Sequence, residues 1–121
     1  MSRDIVEIHA RLYGRGPTRA KTIWRDGIVC CVLEDVFTAA ERVLVGGGHF
    51  AEVRAQRVAF EEQVGPLLRR AVEMSTRHYV DSFVGQANEE GVMSEVFVLG
   101  EHVGAAEVAP PSVASADPSS T

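Results

Sequence analysis

The 121-residue sequence predicts an α+β fold in the order α-β-β-α-α-β-β, with a four-stranded antiparallel sheet covered by a long kinked helix. Three observations lead there. Asp26-Gly27 separates two β-prone runs, the pairing that favours a tight hairpin. Apolar residues recur every third or fourth position between residues 49 and 75, as on one side of a helix. Glu95-Val96-Phe97-Val98-Leu99 is dense in β-formers.

The first helix rests on Ile5, Ile8 and Leu12, with Ser2 as the expected N-cap and Gly14 as its end. His9 sits beside that stripe and reads as a partly buried helix residue rather than a ligand. Gly14-Arg15-Gly16-Pro17-Thr18 is a shaped connector, because Pro17 fixes its own φ and keeps Gly16 out of the helical region. Residues 18–24 and 28–34 follow as strands. The first alternates polar and apolar residues and reads as an edge; the second is apolar on both faces and reads as central. Thr38 and Glu41 have capping-box spacing for a short helix that stops at Gly46-Gly47-Gly48.

The long helix carries Phe50, Val53, Arg57, Phe60, Val64, Leu67, Ala71 and Met74 as a heptad-like seam, widened by Val58, Leu68 and Val72 towards a sheet-covering face. Gly65-Pro66 predicts a kink or a break in it. Residues 79–84 and 95–99 complete the sheet, joined through the loop 86–91. The domain is expected to span 1–100. Residues 101–121, rich in Ala, Pro and Ser, are expected to form a disordered tail. One helix cannot cover both faces of such a sheet, so the first helix or a second subunit must cover the other; a homodimer is expected.

The net charge is −5, unevenly spread. Residues 1–25 hold Arg3, Arg11, Arg15, Arg19, Lys21 and Arg25 against only Asp4 and Glu7. Arg15, Arg19, Lys21 and Arg25, on and beside a short edge strand, are the candidate anion- or partner-binding residues. Arg57, inside a helix seam, reads as a structural buried charge that needs a carboxylate partner. No apolar run approaches a membrane span, since the longest is Ile28–Leu33, and no apolar leader is present. Direct membrane insertion is therefore not expected, and a cytoplasmic location is. Cys30 and Cys31 are adjacent on a strand, point to opposite faces, and read as small hydrophobes.

Catalytic patterns are missing at the level of spacing. His9, His49, His78 and His102 are scattered, so no metal site is expected. Gly14-Arg15-Gly16 precedes a strand rather than a helix and is no phosphate loop. The pairs Glu34-Asp35, Glu61-Glu62 and Glu89-Glu90 read as solvated surface. The acidic balance and the lack of aromatics interleaved with cations argue against nucleic acid. No catalytic residue and no cofactor is assigned.

Four separated motifs carry a family resemblance. Gly14-Arg15-Gly16-Pro17-Thr18 resembles the opening of the MpsC-like family. Leu33-Glu34-Asp35-Val36-Phe37-Thr38-Ala39-Ala40-Glu41 is similar to its Leu-Glu-x-x-Leu-Thr-x-x-Glu, with Phe37 in place of leucine. Val53-Arg54-Ala55-Gln56-Arg57 with Phe60, and Val96-Phe97-Val98-Leu99, resemble two further family segments. The family carries the label of a Na⁺-translocating, membrane-potential-generating system, or of a Na-translocating decarboxylase subunit. The resemblance implies a soluble, non-enzymatic accessory or interaction protein of a bacterial membrane ion- or bicarbonate-related system, with a membrane-system protein as partner. The alternative is a small-anion sensor. No biotin-type lysine site supports decarboxylation, since Lys21 is the only lysine.

Overall fold

A computed structural model describes residues 1–104, so most of the expected tail lies outside the described residues. The elements are α1 (Ser2–Tyr13), β1 (Arg19–Arg25), β2 (Ile28–Glu34), α2 (Ala39–Gly46), α3 (Phe50–Thr76), β3 (His78–Ala87) and β4 (Met93–His102). The expected order and class are therefore present. The strands form one antiparallel sheet in the order β1-β2-β4-β3.

Local chemistry explains most boundaries. Asp26 and Gly27 both take positive φ, 52° and 76°, as a two-residue hairpin loop demands. Gly14 closes α1 in the left-handed region, its N–H donating to the Ala10 carbonyl. The capping box of α2 is complete: the Glu41 N–H donates to Thr38 Oγ1 at 3.1 Å and the Thr38 N–H to Glu41 Oε1 at 2.8 Å. Ser2 is not the N-cap of α1. Met1 holds that position, and the Ser2 hydroxyl bonds the Thr22 hydroxyl of β1 instead.

The seam expected on α3 is corrected. The helix runs through Pro66 without a break, and its buried stripe is Val53, Arg57, Glu61, Val64, Leu68, Val72 and Thr76. Phe60, Leu67 and Met74 are 39%, 49% and 69% exposed. Three polar residues in the buried stripe hide it from a reading of apolar spacing.

Helices α1 and α3 share one face of the sheet. Ile5, Val53, Val64, Leu68 and Val72 pack there with Val29, Cys31, Leu33, Met93 and Phe97. The opposite face is covered by no described element. Cross-strand partners share a face, and the register places Ile23, Cys30, Val96 and Val84 in one row across all four strands. Ile23 and Val84 are 51% and 59% exposed. The adjoining rows are Lys21–Val32–Ser94–Gln86 and Arg25–Ile28–Val98–Ser82.

Candidate functional site

Between the helices and the sheet lies a cluster of ionisable side chains that no apolar core needs. His9 reaches in from α1, Tyr13 from the end of the same helix, Arg57 and Glu61 from α3, Glu95 from β4 and Glu41 from α2. The α1 face turns His9 toward the sheet one helical turn after Ile5, which is wholly buried. Glu95 lies on the covered face because it alternates with Met93 and Phe97, both also wholly buried. Glu61 follows Arg57 by four residues and so shares its stripe.

The cluster has two parts. In the first, the Arg57 guanidinium donates to Glu41 Oε1 at 2.7 Å, to Glu41 Oε2 at 2.9 Å and to the Val36 carbonyl at 2.8 Å. It also lies 3.8 Å from the centre of the Tyr13 ring. Burial alone would raise the Glu41 carboxyl, but the Arg57 bonds and the Thr38 N–H hold it below the usual range. Arg57 is thus a paired internal charge, and Glu41 serves both the ion pair and the cap.

In the second part, His9 Nε2 is 2.8 Å from Glu95 Oε2 and 4.0 Å from Glu61 Oε2. The Tyr13 hydroxyl donates to Glu61 Oε2 at 3.2 Å. Burial, then the neighbouring Glu95 carboxyl, push the Glu61 carboxyl up to about 9. Burial raises Glu95 too, and lowers His9. Glu61 Oε1, Glu95 Oε1 and His9 Nδ1 are buried without a hydrogen-bond partner. Glu61 also forms part of the wall of a cleft of about 690 Å³ with Val58, Arg69, Phe83 and Gly85. A Cβ at residue 85 would stand 2.8 Å from Glu61 Oε1, so glycine makes room for that carboxylate. Chemically, the three side chains can share a proton or hold a cation. The Tyr13 hydroxyl, donating to Glu61 Oε2, is the hydroxyl of the cluster that sits beside a carboxylate.

The other residues singled out from sequence lie elsewhere. Arg15 donates to the carbonyls of Asp35 and Phe37 at 2.7 and 2.6 Å and pairs with Asp35 Oδ2 at 3.0 Å. It staples the corner where Asp35 takes a positive φ of 57°. Arg42 joins it on Asp35 at 2.9 Å. Arg19, Lys21 and Arg25 alternate along the open face of β1, and Arg19 lies 3.8 Å from Glu34. These three form one edge, with Arg15 apart from it.

Sequence reasoning missed Glu61 and Glu95 and underrated His9. Glu61-Glu62 looked solvated, yet Glu61 is 3% exposed. Its place between Arg57 and Val64 on the 3.6-residue period was the available signal. For Glu95 the signal was period-two alternation with Phe97.

No described helix is long and apolar enough to cross a membrane. No curated protein and no solved structure matches the chain significantly. A family model described as "Na+-translocating membrane potential-generating system (MpsC)" matches residues 1–101. With nearly all described residues inside that match, the chain belongs to the MpsC family.

Proposed function

We propose that the protein is a non-enzymatic accessory protein of a bacterial membrane ion- or bicarbonate-related system, working as a homodimer joined through the open face of its sheet. One observation carries the reading: the row Ile23–Cys30–Val96–Val84 crosses the whole sheet, is apolar throughout, and has α1 and α3 both on its other side. Contiguous exposed apolar surface of this kind marks a contact site.

A second copy is a self-consistent occupant. A two-fold axis parallel to the strands lays β1 of one copy over β3 of the other. Apolar rows then meet, with Ile23 opposite Val84, and Lys21 and Arg25 face Gln86 and Ser82 rather than each other. Sheets packed face to face in this way bury a shared core. Arg19, Lys21 and Arg25 remain at the rim, where an acidic segment of a membrane-system protein can reach them. The engagement of Arg15 by Asp35 removes one cation from the set that an anion sensor would use.

The test is charge reversal at the rim. Lys21→Glu with Arg25→Glu should abolish co-purification with the membrane-system partner while leaving the melting temperature within about 2–4 °C, since both side chains are exposed. Undiminished recovery of that partner would remove the basic edge from the reading.

A further inference from the structure

Three elements deliver one ligand atom each to a single point inside the molecule. His9 comes from α1, Glu61 from α3 and Glu95 from β4, and their ligand atoms all lie within 4.8 Å of one another. All three residues are buried, at 2%, 3% and 0% exposure. We propose that His9, Glu61 and Glu95 form a binding site for a single divalent first-row transition-metal ion of the zinc class. This inference is independent of the dimer reading.

The donor set fits that class. Two carboxylates and one neutral imidazole carry two negative charges, which a divalent ion cancels inside the protein. Mg²⁺ and Ca²⁺ take oxygen ligands, and more of them, so the imidazole selects against both. The absence of sulfur among the donors selects against Cu(I). Three protein ligands leave a fourth position for water or another small ligand.

The spacing fits as well. With metal–ligand bonds near 2.0–2.2 Å, two ligands on a tetrahedral ion stand roughly 3.4 Å apart. The observed 2.8 Å from His9 to Glu95 and 4.0 Å from His9 to Glu61 bracket that value, and Glu61 and Glu95 lie within 4.8 Å of each other.

Three independent features point to a ligand here. Glu61 Oε1 and Glu95 Oε1 are buried and unpartnered, which a folded chain seldom tolerates without a purpose. Gly85 holds open the space that the Glu61 carboxylate fills. Glu61 borders the cleft between α3 and β3, which gives an ion a short route from solvent. Tyr13, bonded to Glu61 Oε2, orients that ligand from behind. The Arg57 charge beside the site is paired with Glu41, and its Nη1 is buried without a hydrogen-bond partner.

The experiment uses the full chain, stripped with a chelator and dialysed. Zn²⁺ alone is titrated by calorimetry, metal content is measured by mass spectrometry, and Co²⁺ serves as an optical probe. One ion per chain and visible cobalt bands of a low-coordinate nitrogen/oxygen site are expected. Glu61→Gln and Glu95→Gln, each isosteric, should each lower affinity at least 100-fold. Gly85→Ala leaves every ligand in place but crowds Glu61, and should lower affinity at least tenfold. His49→Ala, which removes an exposed histidine paired with Glu52, should change nothing. No saturable binding by the unaltered chain would overturn the proposal. So would binding that Glu61→Gln, Glu95→Gln and Gly85→Ala all leave intact, because the ion would then sit elsewhere.

Discussion

Arg57→Met is expected to destabilise the chain by about 3–5 kcal/mol, the usual cost of removing one partner from a buried ion pair. Methionine keeps most of the volume, so little of the loss is cavity. What remains is the Glu41 carboxylate and the Val36 carbonyl without their Arg57 donors, both largely buried. Because Glu41 also closes the capping box of α2, the damage extends from α3 to the start of that helix. At roughly 4–8 °C per kcal/mol for a domain near this size, the melting temperature should fall by at least about 12 °C. Pairing the change with Glu41→Leu should recover part of the loss, since the unpaired charge is gone and only the cap is missing. Arg54→Ala, one turn away on an exposed face, should stay within about 0.5 kcal/mol. Thermal melts of these variants check the assignment of Arg57 as a paired internal charge.

The second large effect has the opposite sign. Replacing His9, Glu61 and Glu95 together by leucine, methionine and methionine should leave the metal-free chain as stable as before, or more stable by about 1–4 kcal/mol. Buried charges and orphaned oxygens give way to groups that want no partner. The gain should grow with pH. Glu61 has its folded-state value raised to about 9, so its protonated form is the one the fold favours. A raised value contributes stability in full below the ordinary value of 4.5, and that contribution is lost as pH rises toward about 9. Raised Glu95 adds in the same direction, and lowered His9 opposes the two carboxyls only below its ordinary value of 6.5. The unaltered, metal-free chain should thus melt at a falling temperature between about pH 5 and pH 9, while the triple variant stays flatter. A triple variant that unfolds would show that the cluster holds the fold together, which the geometry does not support.

The contrast between these two predictions explains what the sequence could and could not reveal. The hairpin at Asp26-Gly27, the capping box at Thr38 and Glu41, and the glycine end of α1 depend on residues a few positions apart, and all are visible in a linear reading. The Arg57–Glu41 pair spans 16 positions, and a buried arginine on a helix predicts that some carboxylate must meet it without saying which. His9 and Glu95 are 86 positions apart, and nothing local marks either as a partner of the other. Only the strand register, with Cys31 beside Glu95 and Gly85 beside Glu95, places that carboxylate under α1. Glu61 was obscured by Glu62, an exposed neighbour that makes the pair look like surface.

The open face was legible only in part, because the sequence left α1 or a second subunit as its cover. Strand β2 is apolar on both sides in sequence, and α1 lies with α3, so one of those sides has no cover in a single chain. Cys30 shows the consequence: it sits half-buried in the open row, while its neighbour Cys31 is buried and its thiol is pushed up by that burial. Three of the eight residues of the expected α3 seam are exposed for a related reason. The polar members Arg57 and Glu61 take places in the buried stripe, and Phe60 and Leu67 are left on its flank.

Sedimentation equilibrium decides whether this face joins two copies. The unaltered chain at micromolar concentration should sediment as a dimer. The variant Ile23→Glu/Val84→Glu changes two exposed side chains at opposite ends of the apolar row. It should sediment as a folded monomer with an unchanged far-ultraviolet spectrum. A monomer from the unaltered chain, or a dimer that survives both substitutions, would rule out the open face as the dimer contact.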